Sequence, residues 1–169
     1  MSDDEMEGSG EDEMTALEWK AKGNELYKSR DYKASIAAYS EAIRMDGKEP
    51  AFRLNRAAAY LMTLEYKQCV TDCDAAIALD AAQSKAYFRK ATALRSMGRV
   101  DAAIEALQTG LVRDPTNKEG IKQRDVLRGM KDKITEAREQ QNNGYGRRAL
   151  VILNELVAEV GTSMRDVNL

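Results

Sequence analysis

Five side chains that can donate hydrogen bonds, Lys20, Asn24, Asn55, Lys85 and Arg89, follow one another at spacings of 4, 31, 30 and 4 residues, and none of the five places carries an acid. Lysine supplies a compact charged donor. Arginine supplies a planar fork that meets a carboxylate with two parallel bonds, and asparagine supplies amide N–H groups that orient a ligand without adding charge. Brought onto one surface, three cations and two amides would hold a pair of carboxylates. Any one of these residues alone reads as ordinary solvated surface, so the weight lies in the spacing and in what imposes it.

An internal repeat of 34 residues imposes it. With 16–49, 50–83 and 84–117 superimposed, the same places are small in all three units: Gly23/Ala57/Ala91, Ser35/Cys69/Ala103 and Ala42/Ala76/Gly110. Between them stand matched bulky residues, Leu26/Tyr60/Leu94, Tyr32/Tyr66/Val100 and Ile43/Ile77/Leu111, and each unit ends near an acid, Asp46, Asp80 or Asp114. A fixed period of this size marks a stack of supersecondary units. Apolar residues three and four apart, such as Leu54, Ala57, Ala58 and Leu61, predict two helices per unit, with breaks at 28–31 and 97–99, Pro50 opening a helix and Asp114-Pro115 closing one. The expected fold is therefore all-α, an α-solenoid superhelix of antiparallel helix pairs. A helix turns about 100° per residue, so the core places four, eight and eleven of each unit cluster on one side, and places two, five, six and nine point nearly the opposite way. The leading helices of such a stack line its concave side, and the five donors occupy those outward places.

The pattern resembles the tetratricopeptide repeat (TPR) family, whose signature is matched in the first unit by Trp19, Gly23, Leu26, Tyr32, Tyr39 and Ala42. The second unit departs with Arg53 at the Trp19 place and Cys73 at the Tyr39 place, and the third carries Tyr87 and Leu107 there. The five donors match, residue for residue, the two-carboxylate clamp of TPR co-chaperones that bind the C-terminal tails of Hsp70 and Hsp90. The resemblance implies that Lys20, Asn24 and Asn55 hold the main-chain carboxylate of a Glu-Glu-Val-Asp ending, while Lys85 and Arg89 serve the aspartate side chain. Ala58, Leu61 and Met62 are candidates for an apolar pocket beside it, with core packing an equal reading for Leu61. The rival is a TPR scaffold that recognises an internal segment and ignores a terminal carboxylate. A shifted fourth unit resembles the first repeat block of multi-TPR J-domain co-chaperones, although no His-Pro-Asp motif occurs in these residues.

Residues 1–14 read as a disordered acidic tail, with seven acids and no Lys or Arg in the first 13 residues. Removing those acids leaves 21 acidic against 26 basic residues, a body that favours acidic partners. After the three units of 15–117, residues 118–163 predict a long capping helix that runs into an irregular fourth unit beginning near Met130, and 164–169 the truncated start of another. Cys69 and Cys73 lie four apart on one helix and read as packed thiols; with no histidine in the chain, no metal or cofactor is expected. Catalytic chemistry lacks its parts as well, since there is no phosphate-cradling glycine loop and no nucleophile elbow. No enzyme activity, nucleic-acid partner or membrane partner is expected. The expectation is a monomeric, cytoplasmic module, consistent with an acidic rather than basic N-terminus and the lack of a long apolar run.

Overall fold

The computed structural model describes residues 14–165. Residues 1–13 and 166–169, with the expected acidic tail and most of the expected last unit, lie outside the described residues. The described residues form eight α-helices and no strand: α1 (Ala16–Lys28), α2 (Tyr32–Met45), α3 (Pro50–Met62), α4 (Tyr66–Leu79), α5 (Ser84–Ser96), α6 (Val100–Arg113), α7 (Lys118–Asn142) and α8 (Gly146–Arg165). The fold is all-α. The described residues divide into two compact units, one ending at Arg89 and the other beginning at Lys90.

Local chemistry sets the helix ends. Thr15 and Glu18 form a reciprocal capping box at α1, Asp31 caps α2 through the Ala34 N–H, and Glu49 caps α3 with Pro50 in the first turn. Asp46, Asp80 and Asp114 each follow a trailing helix and donate a backbone N–H, over 2.9 Å, to the small residue four before, Ala42, Ala76 or Gly110. Their carboxylates accept from Lys48 N, Ala82 N and the Thr116 hydroxyl. The acid that closes each repeat thus terminates a helix and fastens the next turn.

The turn inside each pair also repeats. Arg30, Leu64 and Gly98, 34 residues apart, all adopt positive φ, at 65°, 62° and 72°. The following residue in each case, Asp31, Glu65 or Arg99, donates back 2.9 Å to the carbonyl five residues earlier. This is the usual left-handed ending of a helix, although two of the three positions carry a side chain that disfavours it. Gly144, at φ 83°, closes α7 with the same bond from Tyr145 to Gln140.

In the first unit, α1 packs on α2, α2 on α3 and α3 on α4. The buried places include Gly23, Ala42, Ala57 and Ala76, where helices approach closely, with Tyr39, Phe52 and Leu54 filling the space beside them. Cys69 and Cys73 are fully buried free thiols, and the hydrogen bond to Cys69 together with burial pushes the Cys73 thiol up. Asp72, only 3 % exposed, takes both prongs of Arg56 at 2.7 Å, while a third nitrogen of Arg56 donates 2.8 Å to the Ser40 hydroxyl. That network ties α2, α3 and α4. Arg53, standing where the first unit has Trp19, also turns a guanidinium nitrogen toward Asp72 at 4.0 Å.

In the second unit α6 packs on α7 and α7 on α8. Leu94, Ala103, Leu107, Leu127, Ala137, Ala149 and Leu156 are buried. α8 runs unbroken through Thr162 and Ser163, past the point at which the sequence suggests a new unit opens. No helix among the described residues is long and apolar enough to cross a membrane.

Candidate functional site

Lys20 and Asn24 lie one turn apart on α1, Asn55 on α3, and Lys85 and Arg89 one turn apart at the start of α5, so all five fall in the first compact unit. Three of them meet. Asn24, Asn55 and Arg89 line one cleft of about 230 Å³, together with Ala58. The Asn55 Nδ2 donates 3.2 Å to the Asn24 Oδ1, and a terminal guanidinium nitrogen of Arg89 donates 2.7 Å to the backbone carbonyl of Leu54, the residue before Asn55. All three side chains are half-buried, which weakens competition from water without removing access for a ligand.

Lys20 and Lys85 do not line that cleft. Lys20 is half-buried one turn before Asn24, and Lys85 is exposed one turn before Arg89, so each can add charge at the rim. Of the residues named for an apolar pocket, Ala58 lines the cleft, Leu61 is half-buried elsewhere, and Met62 is 49 % exposed and outside it.

Three lining residues escape the sequence reading: Tyr27, Lys28 and Tyr39. Lys28 was within reach, because it continues the four-residue series of Lys20 and Asn24 along one face of α1. Tyr27 packs edge-on to Tyr32, with ring centroids 5.3 Å apart. Tyr39 sits on α2 and counts as a core position in the repeat. Its ring is indeed buried, but its hydroxyl reaches the cleft and donates 2.7 Å to the Asn24 Oδ1. Burial holds the Tyr39 hydroxyl above the usual phenol range, opposed in part by the Ser35 hydroxyl and the Arg89 charge, so it stays a donor at neutral pH.

The first unit permits this because α1 carries Gly23. A Cβ there would come within 2.6 Å and 2.7 Å of two ring carbons of Tyr39. The Ser35 hydroxyl, fully buried, donates 2.9 Å to the Gly23 carbonyl and fastens the same crossing. Sterically and chemically, the cleft is a set of fixed donors, two amides and a guanidinium, with the lysines 20, 28 and 85 around them. Such a set suits an anionic, acceptor-rich ligand.

Comparison with known proteins agrees with that architecture. Models of the tetratricopeptide repeat match residues 20–67 and 84–117. The small glutamine-rich tetratricopeptide repeat-containing protein 2 of Mycosarcoma maydis is 38 % identical over 109 residues, 64 % of this chain and 31 % of that protein. The chain spans less than a third of the length of the first curated relatives it matches. Among solved structures, the second TPR domain of human RPAP3 in complex with an HSP70 peptide, SGPTIEEVD, matches with a TM-score of 0.65 at 33 % identity, covering 67 % of this chain and 94 % of that domain. The first TPR of Spaghetti (RPAP3) bound to the HSP90 peptide SRMEEVD matches with a TM-score of 0.67 at 28 % identity, covering 68 % and 91 %.

Proposed function

The chain belongs to the tetratricopeptide repeat family, and on that premise we propose that it is a co-chaperone adaptor module binding the acidic C-terminal tail, with its free carboxylate, of Hsp70, Hsp90 or both. The observation that carries this reading is the meeting of Asn24, Asn55 and Arg89 at one cleft, with the amides bonded to each other and the guanidinium anchored beside them. Lys20, Asn24 and Asn55 receive the main-chain carboxylate, and Lys85 and Arg89 the side chain of the final aspartate. Ala58, in the cleft wall, takes the neighbouring apolar side chain of the peptide. The peptides held by the two similar domains, SRMEEVD and SGPTIEEVD, both end in this chemistry.

The domain organisation goes with the reading. Residues 15–117 serve as three repeat units, and 118–163 as a capping helix continued into an irregular fourth. Support comes from α7, which at 25 residues is twelve longer than the 13-residue α5, and from Gly144, which closes it as Gly98 closes α5.

A charge-assisted hydrogen bond contributes about 1.5–3 kcal/mol, and ordering a flexible tail offsets much of the sum. The expected affinity is micromolar, about −8 kcal/mol. Calorimetric titration with Hsp70 and Hsp90 tail peptides, each with a free and an amidated terminus, tests the proposal. Micromolar binding of a free-carboxylate peptide, strongly weakened on amidation and in Lys85→Ala, supports it. Equal binding of free and amidated peptides moves the assignment to a scaffold that reads an internal segment, and no binding removes the co-chaperone role.

A further inference from the structure

Tyr39 lies outside the five donor positions, yet it controls one of them. Its hydroxyl donates 2.7 Å to the Asn24 Oδ1, and the same oxygen accepts the Asn55 Nδ2 at 3.2 Å. An amide oxygen has two lone pairs, and both are engaged. If the Asn24 amide turned over, its NH2 would face the Asn55 NH2 donor, and the Tyr39 hydroxyl would have to reverse from donor to acceptor. The orientation seen is therefore the one that keeps the Asn24 oxygen occupied and its Nδ2 available to a ligand.

We propose that Tyr39 is a positioning residue that locks Asn24 as a donor-only group, and that this fixed polarity makes the cleft select a carboxylate over a carboxamide. The inference rests on the carboxylate-binding reading above and deepens it. A carboxylate presents only acceptors, whereas a carboxamide also brings an NH2 that needs an acceptor, and the Asn24 oxygen has none to offer. The arrangement belongs to the first repeat alone. Where that repeat has Gly23 and Tyr39, the second has Ala57 and Cys73 and the third Ala91 and Leu107, and neither cysteine nor leucine can place a hydroxyl at the cleft.

Tyr39→Phe in the full chain, titrated with SRMEEVD peptide carrying a free or an amidated terminus, tests this. Losing one neutral hydrogen bond and the lock it provides is expected to weaken the free-carboxylate peptide about three- to tenfold. Affinity for the amidated peptide is expected to stay constant, so the ratio between the two narrows by the same factor. In an Asn24→Ala background, Tyr39→Phe is expected to change neither affinity. An unchanged ratio overturns the proposal, as does an equal loss in the Asn24→Ala background, which would mark Tyr39 as mere packing. Wild-type protein that binds neither peptide overturns the proposed function and this inference with it; wild-type selectivity that survives Tyr39→Phe overturns the inference alone. Should Tyr39→Phe fail to fold, the side-chain amide protons of Asn24 in the unaltered protein give the answer by NMR. They must shift on adding free-carboxylate peptide and stay still on adding the amidated one, and any other pattern refutes the lock.

Discussion

A terminal guanidinium nitrogen of Arg89 donates 2.7 Å to the main-chain carbonyl of Leu54, joining the first turns of α5 to the middle of α3. The bond uses one of the five guanidinium N–H groups and sets the remaining fork beside Asn55, in the wall of the cleft. Lysine at this place could keep the charge but could not both hold the Leu54 carbonyl and present a planar fork.

Arg89→Lys is accordingly expected to weaken a Glu-Glu-Val-Asp peptide about tenfold, with Arg89→Ala weaker still and stability nearly unchanged for the lysine variant. Calorimetry with thermal melts of each variant checks it. Retained wild-type affinity in Arg89→Lys would show that only charge is read there.

Gly23→Ala places a methyl group against the Tyr39 ring at 2.6 Å, and Tyr39 is only 2 % exposed. Overpacking of this kind costs about 1–3 kcal/mol. The double variant Gly23→Ala/Tyr39→Leu copies the Ala91 and Leu107 combination of the third repeat, so it is expected to recover most of that stability while leaving peptide binding impaired. Urea unfolding and calorimetry on the pair separate packing from the hydroxyl's role.

Asp72→Ala strands the guanidinium of Arg56, which is 18 % exposed, and leaves Arg53 facing it without the intervening carboxylate. Removing one partner of such a buried pair costs about 3–5 kcal/mol. The expected readout is a large drop in the urea midpoint at neutral pH; a shift under 1 kcal/mol (about a fivefold change in the folding equilibrium) contradicts the structural role assigned to the network.

Leu64 holds φ 62° while 67 % exposed, in the place where the third repeat has Gly98. Glycine relieves the left-handed strain of about 1–2 kcal/mol but gives the unfolded chain more freedom, so Leu64→Gly is expected to gain about 0.5–1 kcal/mol. A lower denaturation midpoint in this variant would show that the Leu64 side chain contributes more in packing than its backbone loses in strain.

Periodicity alone determined a great deal. The 34-residue spacing of small residues fixes where helices can approach, the acids at 46, 80 and 114 mark where they stop, and the all-α fold follows because those patterns are local in the chain. The same periodicity assigned Lys20, Asn24, Asn55, Lys85 and Arg89 to one face of the leading helices, since a helical face depends only on residue number. What the hydroxyl of Tyr39 touches does not depend on residue number. That contact needs the α1–α2 crossing, the missing Cβ of Gly23 and the Asn55 amide arriving from α3, three separate segments whose meeting is decided only by packing. The same holds for the Arg53 and Arg56 pair on Asp72, and for the separation of the two lysines from the cleft wall, because a side chain's partners across helices are set by the distance of closest approach. The sequence by itself thus determined which residues could act together, and the tertiary structure decided which atoms they offer.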